Sequence, residues 1–402
     1  MKLWISLSGI LIFYFVYGFY LSQFDIIAVR STLRSKEESP YNDYRGVINV
    51  HTNLSTGSST PYSVIQSAQT AGLDFLVLTD LNIQNYPKDL AKYHNRTLVL
   101  TGSKNSYIDS RVVLLHEKNQ LLAGSLGEIQ TQVSDLLTQS SPSPYTLSIL
   151  AHPFMTGFSW TGDIPTGLDG MELLNIKSLS NKAWSESRLS VIWSLLMYPF
   201  NPELSFLRLF SEPSDELSLF DKTTSQRRFF AFAGAEANAK AIPIANYLIK
   251  FPSYLKSFSL VTNHILLKSE LTGNSIKDNE KIFGALKTGQ FYLCNELLGD
   301  STGFYATIND EHSELLLGSQ KPYSKNLQIK VHLPGIIKYP FEVNLVKDGQ
   351  FLDSANTSES IFKIPSPGTY RIQIRVQIPL PLPDGKKWVT WIYSNPFFIT
   401  HP

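Results

Sequence analysis

Ile48-Asn49-Val50-His51-Thr52 is an apolar run that ends on polar side chains. Side chains two apart on a strand share a face, so Asn49 and His51 point together. Leu78-Thr79-Asp80-Leu81-Asn82, Thr101-Gly102-Ser103-Lys104 and Gly234-Ala235-Glu236-Ala237-Asn238 repeat this ending, and His152 and Glu172 also close apolar runs. In β/α architectures the site is built where strand ends converge. A lone histidine at such an end is more often a satisfied core residue than a ligand. Several ionisable groups at several strand ends outweigh that bland reading.

Working outward, Thr60-Pro61 supplies an N-cap and a proline for the first helical turn, Val64, Ile65, Ala68 and Ala71 recur at helical spacing, and Gly72 ends the helix. Residues 75–78 form the next strand. This strand, helix, strand unit recurs through apolar runs at residues 98–100, 147–151, 171–174, 229–233 and 260–267. A parallel barrel and a doubly wound sheet both fit. Near Thr302 the texture changes to alternation (Leu327, Ile329, Val331; Tyr370, Ile372, Ile374, Val376), with turns at Lys347-Asp348-Gly349 and Pro367-Gly368. That pattern predicts a small all-β sandwich over residues 302–402.

Residues 3–24 carry no charge and are followed by a polar stretch, residues 25–44, that reads as a linker. The apolar run is long enough for a transmembrane helix, with a cleavable signal peptide as the alternative. We expect a membrane-anchored chain whose soluble part is extracytoplasmic, although Arg30, Arg34 and Lys36 behind the run weaken any orientation argument. A net charge of +1 with no basic stripe argues against a nucleic-acid partner, and none is expected. Cys294, the only cysteine, permits no internal disulfide. His94, His116, His264, His312, His332 and His401 have no partner at ligand spacing and are read as incidental. Residues 206–219 fit an amphipathic lid or ordinary helix packing. Trp388, Trp391 and Tyr393 fit a carbohydrate-binding face or, more commonly, sandwich core.

Over residues 45–304 the motifs resemble the PHP (polymerase and histidinol phosphatase) superfamily of metal-dependent phosphoesterases. Asn49-Val50-His51-Thr52 stands where that family has His-x-His-Thr, and Thr79-Asp80-Leu81-Asn82 where it has Thr-Asp-His-Asn. Gly102-Ser103-Lys104 replaces Gly-x-Glu, and Gly234-Ala235-Glu236-Ala237-Asn238 replaces Gly-Ser-Asp-x-His. Ala151-His152-Pro153 and Asp169-Gly170-Met171-Glu172 keep the family pattern. The resemblance implies a distorted seven-stranded β/α barrel over residues 45–301 and a cluster of divalent metals at the strand ends.

The departures bear directly on that cluster. His51, Asp80, His152 and Glu236 remain as possible metal ligands, whereas Asn49, Leu81, Lys104 and Asn238 mark a degenerate site. Lys104 puts an ammonium where the family has a carboxylate. At about 4 Å and an effective dielectric of about 20, each unit-charge pair repels by roughly 4 kcal/mol, and a dication doubles that. The ammonium is therefore expected to take a metal position and pair with Glu236, Asp80 or both. Three readings follow: a membrane-tethered, non-catalytic protein that binds a small-molecule or protein ligand and needs no cofactor; a hydrolase with a single Mn, Zn or Fe ion; and a purely structural envelope protein.

Overall fold

The computed structural model describes residues 2–30, 39–83, 85–244, 247–310, 313–382 and 384–402. Seven strands close on themselves: β1 (Asn42–Val50), β2 (Phe75–Leu78), β3 (Thr97–Tyr107), β4 (Ser110–His116), β5 (Thr146–Ala151), β6 (Gly170–Asn175) and β7 (Phe230–Ala237), with β7 returning to β1. Closure settles the choice between barrel and open sheet. The distortion sits at β4, which pairs antiparallel with both β3 and β5 while the other barrel pairs are parallel. β4 follows β3 by a tight hairpin, with no room for a crossover helix; its run Val112-Val113-Leu114-Leu115 is buried throughout.

The first crossover helix forms as its residues dictate. Helix α2 (Pro61–Thr70) begins at Thr60, whose side chain accepts from the Ser63 amide, buries Val64, Ile65 and Ala68, and stops before Gly72 at φ +70°. Helix α3 (Leu126–Thr138) carries a reciprocal capping box between Ser125 and Glu128. After β6 the chain makes four consecutive helices, α4 (Ile176–Glu186), α5 (Arg188–Met197), α6 (Pro202–Leu209) and α7 (Ser214–Thr224). Residues 206–219, which fit either a lid or ordinary helix packing, fall in two helices split at Phe210–Pro213, and the burial of Leu204 and Leu207 of α6 in the core accords with packing.

Beyond the barrel, β8 (Val261–Leu267) lies antiparallel to the first half of β1 and to β9 (Phe291–Asn295). From β9 the sheet runs on without interruption into β10 (Gly368–Pro379), β11 (Lys386–Ser394) and β12 (Phe397–Thr400). A four-stranded sheet of Glu314–Leu316, Tyr305–Asn309, Gln328–His332 and Glu359–Lys363 lies apart from it. Ile308, Ile329, Phe362, Val343, Ile372 and Ile374 are buried in the same core. Trp391 and Tyr393 belong to that core, at 0% and 1% exposure, which removes two of the three rings from any carbohydrate face.

Helix α1 (Lys2–Ser22) takes up the charge-free run. Among the described residues no helix is long and apolar enough to cross a membrane, so the fold gives the transmembrane expectation no support. Instead α1 lies against α5 and the turn after it: Tyr14 stacks edge-on with Phe200, its hydroxyl donates to the Leu196 carbonyl, and Asn201 Nδ2 donates to the Leu21 and Phe24 carbonyls. Ala28 is buried, and Val29–Arg30 pairs with Ile336–Ile337 of the C-terminal part. The expected linker is therefore partly built in; residues 31–38 lie outside the described residues.

Candidate functional site

The polar strand ends converge at one mouth of the barrel, and the backbone bends sharply there. Asn49, Asn82, His152 and Glu236 all have positive φ (62°, 51°, 34° and 44°), a region that non-glycine residues enter only under constraint. The bends turn the side chains of three of these residues toward one another. Asn49 Nδ2 donates to Glu172 Oε1 at 2.6 Å and to Glu236 Oε2 at 2.8 Å, while Asn175 Nδ2 donates to Glu172 Oε2 at 2.7 Å. The His152 amide donates to Glu172 Oε2 at 2.9 Å. Gly234 makes room for this arrangement, because a Cβ there would run into the Glu172 carboxylate. G234A should therefore cost about 1 to 3 kcal/mol by overpacking, which urea denaturation would register.

Lys104 enters this cluster from β3. Its Nζ donates to Glu236 Oε2 at 2.6 Å, with both side chains almost wholly buried. Asp80 does not share the ammonium. Its carboxylate accepts from the Thr52 amide, Thr52 Oγ1, Ser55 Oγ and Tyr86 Oη. That carboxylate ties the loop after β1 to the loop after β2, with its oxygen atoms already taken.

The imidazoles are neutral. Burial and the Lys104 charge outweigh Glu236 and hold His51 down to about 4; the same causes hold His152 down to about 3. His51 Nε2 sits 3.0 Å from Asn49 Oδ1, which can only accept, so this nitrogen carries the proton and Nδ1 keeps its lone pair. His51 Nδ1 and His152 Nδ1 are buried without a hydrogen-bond partner. Burial raises the Glu236 carboxyl, but Lys104 and the neighbouring imidazoles outweigh it and the net shift is downward. Burial and Glu236 lift Glu172 to about 7 against the pull of Lys104 and two asparagines. Because both histidine values fall below 6.5, their contribution to stability is complete above that pH and is lost as pH falls through it, toward about 4 for His51 and about 3 for His152. Imidazole NMR should show both rings still uncharged at about pH 5.

The donor set does not fit a cluster of divalent metals. Asp80 is committed to four hydrogen bonds, Glu236 to an ammonium, and Leu81 and Asn238 line the mouth without offering a charged ligand. Among the described residues, the group of three or more His, Cys, Asp or Glu whose ligand atoms all lie within 4.8 Å of one another is His264, Cys294 and Glu296, away from this mouth. There His264 Nδ1 meets Asp43 Oδ1 at 2.8 Å and Nε2 meets Glu296 Oε1 at 3.0 Å, so these donors are spent on one another. His264 was read as incidental because Asp43 lies 221 residues away from it in sequence. His312 lies outside the described residues.

Three cations at the mouth escaped the sequence reading. A cavity of about 270 Å³ is lined by His51, His152, Glu236 and Lys104, and also by Arg111, Lys177 and Lys240. Arg111 comes from β4, the strand with no counterpart in the expected β/α repeat, and Lys177 from the first turn of α4. With neutral histidines, the lining sets four cationic side chains against one carboxylate.

No protein-family model matches the chain, and no curated protein matches it. Among solved structures, a two-domain protein containing a predicted PHP-like metal-dependent phosphoesterase from Bacteroides vulgatus aligns at 11% identity and TM-score 0.37, over 87% of this chain and 96% of its own. A protein assigned as a metal-dependent phosphoesterase from Bifidobacterium adolescentis aligns at 12% identity and TM-score 0.25, over 53% of this chain and 94% of its own. At such identities and TM-scores neither likeness carries the chemistry, which rests on the residues of the mouth itself.

Proposed function

We propose that this chain is a PHP-like protein that has given up metal-dependent phosphoester hydrolysis and uses its cationic barrel mouth to bind an anionic ligand. The observation that carries the reading is the buried contact of Lys104 Nζ with Glu236 Oε2 at 2.6 Å. An internal cation there supplies the counter-charge that a buried carboxylate requires, and the remaining Arg111, Lys177 and Lys240 are left facing the cavity. Membrane attachment is part of the proposal. It is supported by the exposed apolar side chains of α1, among them Ile10, Ile12, Phe13, Val16 and Phe19, and an extracytoplasmic site remains our reading of the N-terminal sequence.

The test is metal analysis of the purified chain after exposure to manganese, zinc and iron, with assays on a generic phosphomonoester and phosphodiester. We expect no stoichiometric metal, no turnover, and binding of inorganic phosphate that K177E weakens by at least about tenfold. A second reading, a hydrolase with one divalent ion, is favoured by the two unpartnered Nδ1 atoms of His51 and His152. Metal at one equivalent together with turnover would establish it in place of the first.

A further inference from the structure

A second cavity of about 280 Å³ adjoins the cationic mouth, and the two share Lys177, Glu236, Asn238 and Lys240 in their linings. Its other walls are mostly apolar: Val191 and Leu195 from α5, Phe206 and Leu209 from α6, with Tyr198 and Phe251. The two cavities therefore adjoin across these shared residues, one walled largely by cations and the other largely by hydrocarbon. Small-molecule sites are mostly apolar with a few convergent polar groups that fix orientation. This division matches a ligand with the same two ends.

The apolar end also reaches the surface in a telling place. Leu195 lines the cavity and is half exposed, and Leu189, Ile192 and Leu196 of the same helix are exposed beside it. Helix α1, with its own row of exposed apolar side chains, is fastened to α5 through Tyr14 and the Leu196 carbonyl. A chain leaving the cavity at Leu195 meets more apolar surface.

We infer that the adjoining cavities bind a single-chain anionic amphiphile, with its phosphate or carboxylate head among Arg111, Lys177 and Lys240 and its hydrocarbon tail between α5 and α6. This rests on the anion-binding reading above and adds the tail. Arg111 lines the cationic mouth but not the second cavity, and Leu195 the second cavity but not the mouth, so head and tail can be varied separately.

Calorimetry on the full chain would compare glycerol 3-phosphate, 1-decanoyl-glycerol 3-phosphate below its micellar concentration, and 1-decanoylglycerol. The decanoyl phosphate is expected to bind on the order of a hundredfold more tightly than glycerol 3-phosphate, the gain from burying about three or four methylenes at roughly fourfold each. L195E, a change at a half-exposed position, should remove most of that gain, and R111E should weaken the decanoyl phosphate severalfold. Flotation with phosphatidylcholine vesicles, with and without phosphatidic acid, separates the sources: capture that requires phosphatidic acid assigns the head to a bilayer lipid, and binding of the monomer without capture assigns it to a free amphiphile. Equal affinity for glycerol 3-phosphate and its decanoyl ester would overturn the tail while leaving the anion site standing. Equal affinity for decanoylglycerol and its phosphate would overturn the head, and no binding by any of the three would sink both readings together.

Discussion

Replacing Lys104 by methionine should lower the stability of the chain by about 3 to 5 kcal/mol, the cost of leaving a buried charge without its partner. The stem of methionine fills much of the same volume, so the loss is electrostatic rather than a cavity effect. Glu236 would keep hydrogen bonds from Asn49 and Asn175 but lose its only directly bonded counter-charge among the described residues, with Arg111, Lys177 and Lys240 left farther off in the cavity. The double variant K104M/E236L should recover most of the loss, because two apolar groups of similar size can replace a buried ion pair at little cost. A double-mutant cycle in urea measures the difference. Equal stabilities for K104M and the parent would mean that the ammonium does not neutralise the site. K104E makes the complementary point: with three carboxylates crowded at the mouth, its folding should depend on added divalent cation, while that of the parent does not.

His264→Leu should be the second large loss, again about 3 to 5 kcal/mol, because Asp43 and Glu296 are left facing an apolar side chain. Burial pushes this imidazole down, yet Asp43 and Glu296 outweigh burial and hold it up at about 10. The folded value lies above 6.5, so the stabilisation is fully present below about pH 6.5 and disappears as pH rises through about 10. Denaturation midpoints of parent and variant should be furthest apart in neutral and mildly acidic solution and should converge above pH 10. Parallel curves across that range would count against a charged ring.

Much of the barrel was legible because its apolar runs and their polar endings are local features. Thr60, Pro61 and Gly72 frame α2 where the sequence put them, and the family resemblance, which sets Lys104 at one site with Glu236 and Asp80, leads to a pairing with either or both, of which the structure has the contact with Glu236. Other features had no local signature. Asp80 has the residue type of a metal ligand, and only the positions of Thr52, Ser55 and Tyr86 reveal that its oxygens are taken. The Asp43, His264 and Glu296 network joins residues from three strand regions, so spacing says nothing about it. Arg111 was missed because β4 runs against its neighbours, and a β/α pattern offers no reason to seek a strand there. The charge-free N-terminal run was legible as apolar, but its rest against α5 depends on aromatic partners nearly two hundred residues away.

The uninterrupted hydrogen bonding from β9 into β11 has a consequence for anyone who would dissect the molecule. Cutting the chain after the barrel would strip β9 of its neighbour and leave a row of bare amides and carbonyls along Tyr292, Leu293 and Cys294, an invitation to self-association. Side-chain clasps would go as well, since Asn395 bonds to the backbone of Ala231 and Phe291. The two halves should therefore melt as one cooperative unit, and an isolated barrel should aggregate rather than refold.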